Sequence, residues 1–202
     1  MTSLRPTLFL LLLLLLAPPV LAAQPLPLDD YLQLRRSIEA ARDDAARAVL
    51  ERQAGAAREA LLAQARRSSR LVILAEHRGG YETAPARQTA RLVAREGRVT
   101  LQALAGPRPQ SPDWERAGVV EMGAYLGVLD RLLRDPALAG DWPTPRFDAN
   151  APGPRRAIVV HLAIAEHERE MQALAGPPYE RLAALAGALL EFCRSVPLRP
   201  AP

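Results

Sequence analysis

Between Gln88 and Leu104 the chain alternates polar and apolar residues on both sides of Glu96 and Gly97, and this stretch constrains the fold more than any other. Ala90, Leu92 and Ala94 fall on one side with Val99, Leu101 and Ala103; Arg91, Arg95, Arg98, Thr100 and Gln102 fall on the other. Successive side chains of a strand point to opposite faces. A period of two on both arms, with a glycine in the two-residue turn, therefore specifies an antiparallel hairpin. The preceding segment 70–77, R-L-V-I-L-A-E-H, is rich in β-formers and is closed by Gly79 and Gly80. Together these predict a small antiparallel β meander at about 70–104. A competing reading makes 84–95 a helix, because A-R-Q-T-A-R-L-V-A-R also contains good helix formers.

The remaining pattern reads as helical. Tyr31, Leu34, Ile38, Ala41, Ala45, Val49, Ala56, Ala60 and Ala63 recur every three or four residues. This predicts a long N-terminal helix from Asp29 to about Arg67, continuous or broken near Gly55. Asp29 would cap it, and Arg66 and Arg67 would complement its C-terminal dipole. Ser111, Pro112 and Asp113 form a helix-start signal, predicting a helix to Arg134 that stops before Pro136. A proline-rich loop is expected at 135–154, then helices at about 155–174 and 178–194. The fold class is therefore expected to be mainly α (α+β): a helical bundle with a small meander, forming one domain over 24–202.

Residues 1–23 have the three parts of a secretory signal peptide: Arg5, an apolar run from Leu8 to Ala17, and small residues at Ala22 and Ala23. The run is shorter than the ~20 residues that cross a bilayer. Cleavage after Ala22 or Ala23 would leave an exported, periplasmic or secreted protein with no stable transmembrane span, although retention of the segment as an anchor is an alternative. Cys193 is alone, so no intramolecular disulfide can staple the domain. All 26 cationic side chains are arginine. Schiff-base chemistry, Ser-Lys hydrolysis and a phosphate-loop lysine are thereby excluded. The net charge is only +4 with acids interspersed, and aromatics make up 4% of the chain. Neither a basic stripe nor a stacking platform is present, so nucleic acid is not an expected partner.

Two of the three histidines lie in V-H-L-A-I-A-E-H-E-R-E-M-Q-A-L, residues 160–174. On a helix, Val160, Ile164, His167, Met171 and Leu174 form one apolar stripe that includes His167, while His161 lies about 120° away beside Glu168. One ion cannot easily take both histidines from a straight helix. H-E-x-x-H and the Glu-x-x-His di-metal signature are absent, as are paired cysteines. His167 then reads first as a packed core residue. The alternative is a metal ion or haem held by His77, His161 and His167. Ser37, Ser68, Ser69, Ser111 and Cys193 lie in no nucleophile motif. Arg91, Arg95 and Arg98 cluster on the polar side of the hairpin, where guanidinium forks suit an anionic partner. The expected function is a non-catalytic cell-envelope protein acting through contacts with an envelope protein partner, with no cofactor. The alternatives are a periplasmic metal- or haem-binding bundle and an envelope enzyme with a dispersed Glu/Asp/His site.

Overall fold

The computed structural model describes residues 28–78, 86–106, 113–142, 155–174 and 176–200. Residues 1–27, Gly79 and Gly80, Ser111 and most of the proline-rich stretch lie outside the described residues. Two helices, α1 (Leu28–Ala40) and α2 (Asp44–Ala65), precede four strands: β1 (Ser68–Arg78), β2 (Ala86–Arg95), β3 (Arg98–Gly106) and β4 (Trp114–Val120). Then come α3 (Met122–Arg134), α4 (Pro136–Ala139), β5 (Arg155–Ile164), β6 (His167–Ala173), α5 (Gly176–Ser195) and the short β7 (Leu198–Arg199). All seven strands join one antiparallel sheet in the order β6-β5-β1-β2-β3-β4-β7. The helical-bundle expectation is thereby corrected. The sheet organises the molecule, and the helices cover one of its faces.

The central rungs show why. Leu71 pairs with Leu92 on one side and Leu162 on the other, and Leu92 pairs with Leu101. All four are buried, as are Ile73, Ala90, Ala94, Val99, Ala103, Ile158, Val160 and Ile164 on the same face. Burying one such leucine contributes about 2 kcal/mol. No pair of alanine-striped helices could match a contiguous aliphatic surface of this size. The hairpin at Glu96–Gly97 is present, with positive φ at both residues (50° and 79°) as a type I′ turn requires.

The long N-terminal helix breaks at Ala41–Asp43 and not at Gly55. Asp43 is extended, and its carboxylate accepts the Ala46 amide at 2.9 Å, starting α2 afresh. Arg47 reaches back to donate to the Ala41 carbonyl at 2.8 Å. At Gly55 an added Cβ would meet nothing within 4 Å, so nothing there demands a break.

The expected helix at about 155–174 is a β-hairpin. Val160, Ile164 and Met171 are buried, as the helical stripe required. A spacing of four is also even, however, so a strand satisfies it equally. Ile158 and Leu162, buried between them, complete the period of two. The turn at Ala165–Glu166 contains no glycine. Ala165 takes a φ of 53°, and its amide donates to the Ser68 carbonyl at 3.0 Å. The expected 111–134 helix is likewise corrected. Trp114–Val120 is a strand beside β3, and the helix starts only at Met122. Val119 and Val120 favour extended backbone, and at Gly118 an added Cβ would stand 2.9 Å from the Arg199 carbonyl oxygen. Within the 135–154 stretch expected to be loop, Pro136–Ala139 forms a short helix whose first turn is capped by Asp135, at 2.8 Å from the Ala137 amide.

Several arginines are committed to holding the helical layer. Arg35 donates to the carbonyls of Leu133 (3.1 Å) and Arg134 (2.9 Å), satisfying the C-terminus of α3. Arg116 donates to the carbonyls of Cys193 (3.1 Å), Arg194 and Val196 (2.8 Å), closing the end of α5. Arg58 forms an ion pair with Asp130, Nε to carboxylate oxygen at 2.9 Å, and ties α2 to α3. A fork of several donors suits the splayed carbonyls of a helix end, where a cation also complements the dipole.

Candidate functional site

The opposite face of the sheet carries a different set of residues, fixed by register. Reading from β6 to β4, one rung holds Glu168, Ala163, Arg70, Val93, Thr100 and Val119. The next holds Glu170, His161, Val72, Arg91, Gln102 and Ala117, and the third Gln172, Val159, Leu74, Thr89, Leu104 and Glu115. Glu168, Glu170, Arg91, Arg95, Arg98, Thr100 and Gln102 are exposed, while Val72, Leu74, Val93 and Val159 are half-buried. Among the described residues, the helices pack against the leucine-bearing face and leave this one open.

Arg91 and Arg95 stand on β2 with Val93 between them, Arg98 pairs with Arg95 across the turn, and Arg70 pairs with Val93. A shallow hollow of ≈ 210 Å³ lies among Ser68, Arg70, Arg91, Val93, Arg95 and Glu168. A neighbouring one of ≈ 410 Å³ shares Arg91, Val93 and Arg95 and adds Thr100 and Gln102. Glu168 joins the cluster from β6. One of its oxygens lies 3.2 Å from Arg70 Nη2 and the other 3.1 Å from His161 Nε2. Among the described residues Arg91, Arg95 and Arg98 have no hydrogen bond or ion pair, in contrast to Arg35, Arg58 and Arg116.

The structure thus keeps the three arginines singled out from sequence on one surface and adds Arg70, His161 and Glu168. His161 and Glu168, seven apart in sequence, become diagonal neighbours across the hairpin. Read as two strands, the sequence would have shown this pairing directly.

The histidines do not converge. His161 sits on the open face and His167 on the covered one, where its Nε2 is 3.9 Å from a Glu166 oxygen. His77 pairs through its backbone with Ala86 and Arg156. It lies five residues along β1 from Val72, the rung of His161, a separation of about 17 Å. Among the described residues no group of three or more His, Cys, Asp or Glu side chains is arranged to hold a metal ion.

Of the nucleophile candidates, Ser69 is occupied and Cys193 inert, while Ser111 lies outside the described residues. The Ser69 hydroxyl donates to the Ala65 carbonyl at 2.7 Å and meets the Tyr125 hydroxyl at 2.8 Å in the core. Burial pushes the Tyr125 phenol up to about 12, against the opposing effect of Ser69. Burial also pushes the Cys193 thiol up to about 12, more than Arg116 lowers it. A thiol so rarely ionised neither attacks nor binds metal readily.

No protein-family model matches the chain, and no curated protein matches it either. Among the described residues no helix is long and apolar enough to cross a membrane.

Proposed function

We propose that this protein is exported and non-catalytic, and that it binds an acidic protein partner in the cell envelope through the open face of its sheet. Export rests on the leader pattern in residues 1–23. The binding reading rests on one observation: Arg91, Arg95 and Arg98 stand together on an uncovered sheet face without partners among the described residues, whereas Arg35 and Arg116 are committed to helix ends. Unpaired guanidinium forks lose little water on meeting carboxylates at a rim and gain charge-assisted hydrogen bonds there. The adjoining hollows are shallow, as a surface-to-surface contact requires, whereas a small-molecule site encloses most of its ligand.

A photocrosslinking residue at Thr100 or Gln102 tests this in the exporting cell, with one at exposed Glu51 on α2 as control. Adducts formed with an acidic envelope protein from the sheet positions, and lost when Arg91 and Arg95 are replaced by Glu, support the reading. Adducts indifferent to those replacements, or equal from Glu51, overturn it.

A further inference from the structure

From β6 to β2 the open face is bipolar. Glu168 and Glu170 lie on the β6 edge and the unpaired Arg91 and Arg95 on β2, three strands away, with a further exposed acid, Glu115, beyond them on β4. Between them, on β5 and β1, the half-buried Val159, Val72 and Leu74 and the buried Ala163 share the surface with Arg70 and His161, both of which contact Glu168. A partly apolar strip flanked by opposite charges complements itself when turned over. We propose that a second copy of this chain occupies the face, its β6 carboxylates answering the β2 arginines. This rests on the reading of the face as a contact surface for carboxylates and takes those carboxylates from the β6 edge of a second copy, not from a protein acidic overall.

The register specifies the arrangement. A two-fold axis parallel to the strands, running over the boundary between β5 and β1, lays β6 of one copy over β2 of the other and β5 over β1. Rung by rung, Glu170 then faces Arg91 of the second copy and His161 faces Val72; Gln172 faces Thr89 and Val159 faces Leu74; Glu168 faces Val93 and Ala163 faces Arg70. Each pair occurs twice, as an isologous interface demands. The reversed stacking, with β6 over β6, would instead set Glu170 against Glu170. Packed sheets cross at about 30°. Glu170 and Arg91 lie one and a half strand spacings from the axis, about 7 Å, so the crossing displaces them by only about 4 Å. Both side chains are long enough to span that offset. Glu170 has no hydrogen bond or ion pair among the described residues, so it meets the arginine without breaking an internal contact.

Size sets the strength. Four strands across and eight residues along cover about 19 by 27 Å, roughly 500 Å² on each copy. The total of roughly 1,000 Å² is at the lower end for specific interfaces, so the dimer is expected to be micromolar and salt-sensitive.

Sedimentation equilibrium of the mature chain, from about 5 to 300 µM at low and at high salt, reads the association. The test pairs Glu170→Arg with Arg91→Glu, both at exposed positions, with far-UV circular dichroism confirming that each variant keeps its fold. Each variant alone is expected to dimerise at least ~10-fold more weakly, because two symmetry-related contacts turn repulsive. Their one-to-one mixture is expected to regain dimer, because each then meets the opposite charge on the other. Should either variant misfold, Glu170→Gln and Arg91→Gln replace the pair, and each is expected to weaken association by ~3-fold or more. A wild type that stays monomeric throughout overturns the proposal, as does a dimer indifferent to both variants or a mixture that stays monomeric. If the wild type is monomeric while its Arg91-dependent adduct with another acidic protein persists, the second copy is refuted and the contact surface stands.

Discussion

Replacing Ala165 by Gly separates the hairpin at 155–173 from the helix that its sequence suggests, because the two structures predict opposite signs. In a helix interior, Ala→Gly costs about 1 kcal/mol. In the structure Ala165 occupies the turn between β5 and β6 with a φ of 53°, where a Cβ is strained. Relief of that strain is worth about 1–2 kcal/mol, and the extra freedom of glycine in the unfolded chain takes back roughly 0.4–1 kcal/mol. The net expectation is a stabilisation of about 0.5–1 kcal/mol. With a urea dependence of about 2 kcal/mol per molar, the midpoint rises by roughly 0.3–0.5 M at unchanged slope. Ala165→Val, β-branched at positive φ, is expected to move the midpoint the other way by more. Urea titration of residues 24–202 by circular dichroism reads both. A glycine variant destabilised by about 1 kcal/mol would refute the turn and restore the helix.

Three further outcomes follow from the same structure. Leu92→Ala, at the fully buried centre of the leucine rung, is expected to cost about 3–5 kcal/mol in urea titrations, while Val49→Ala, at a position 44% exposed, costs under about 1. Gly118→Ala drives a Cβ to 2.9 Å from the Arg199 carbonyl and 3.1 Å from Leu198 Cβ, so it should detach β7 and cost about 1–3 kcal/mol; hydrogen exchange at Val119 and Val120 would report the loss. Stability should be full below about pH 9 and fall as pH rises from there to about 12, because Cys193 and Tyr125 hold their protons more tightly folded than unfolded; Cys193→Ala and Tyr125→Phe should each flatten the fall, and a profile unchanged by both would contradict it.

Local patterns were legible wherever two independent cues agreed. Around Glu96–Gly97 the alternation and the turn glycine point the same way, and the strands pair in that register. The C-terminal helix, opened by Pro177 and Pro178, runs over Gly176–Ser195 against an expectation of about 178–194. At 155–174 only one cue was available. Val160, Ile164 and Met171 satisfy both periods, and the turn at Ala165 lacks the glycine that would have exposed it. At 111–120 a local start signal was overridden, because β3 offered an edge that β4 could pair. Asp43 caps α2 in the structure, but the alanine-rich periodicity from Ala41 to Ala45 runs across it and conceals the break in the sequence.

The sequence by itself settled which residues would seek burial around the 96–97 turn, where glycine would reverse the chain there, and which chemistries a lysine-free chain with one cysteine cannot run. It also grouped Arg91, Arg95 and Arg98, since a hairpin's faces follow from its own alternation. Only the tertiary structure decided that seven strands share one sheet, that the described helices cover only one of its faces, and that Arg70, His161 and Glu168 join the arginines on the other. Strand pairing joins residues far apart in the chain, and no local period encodes which edge a strand will meet. The charge pattern of the open face is a property of the rungs, and the rungs exist only once the sheet has formed.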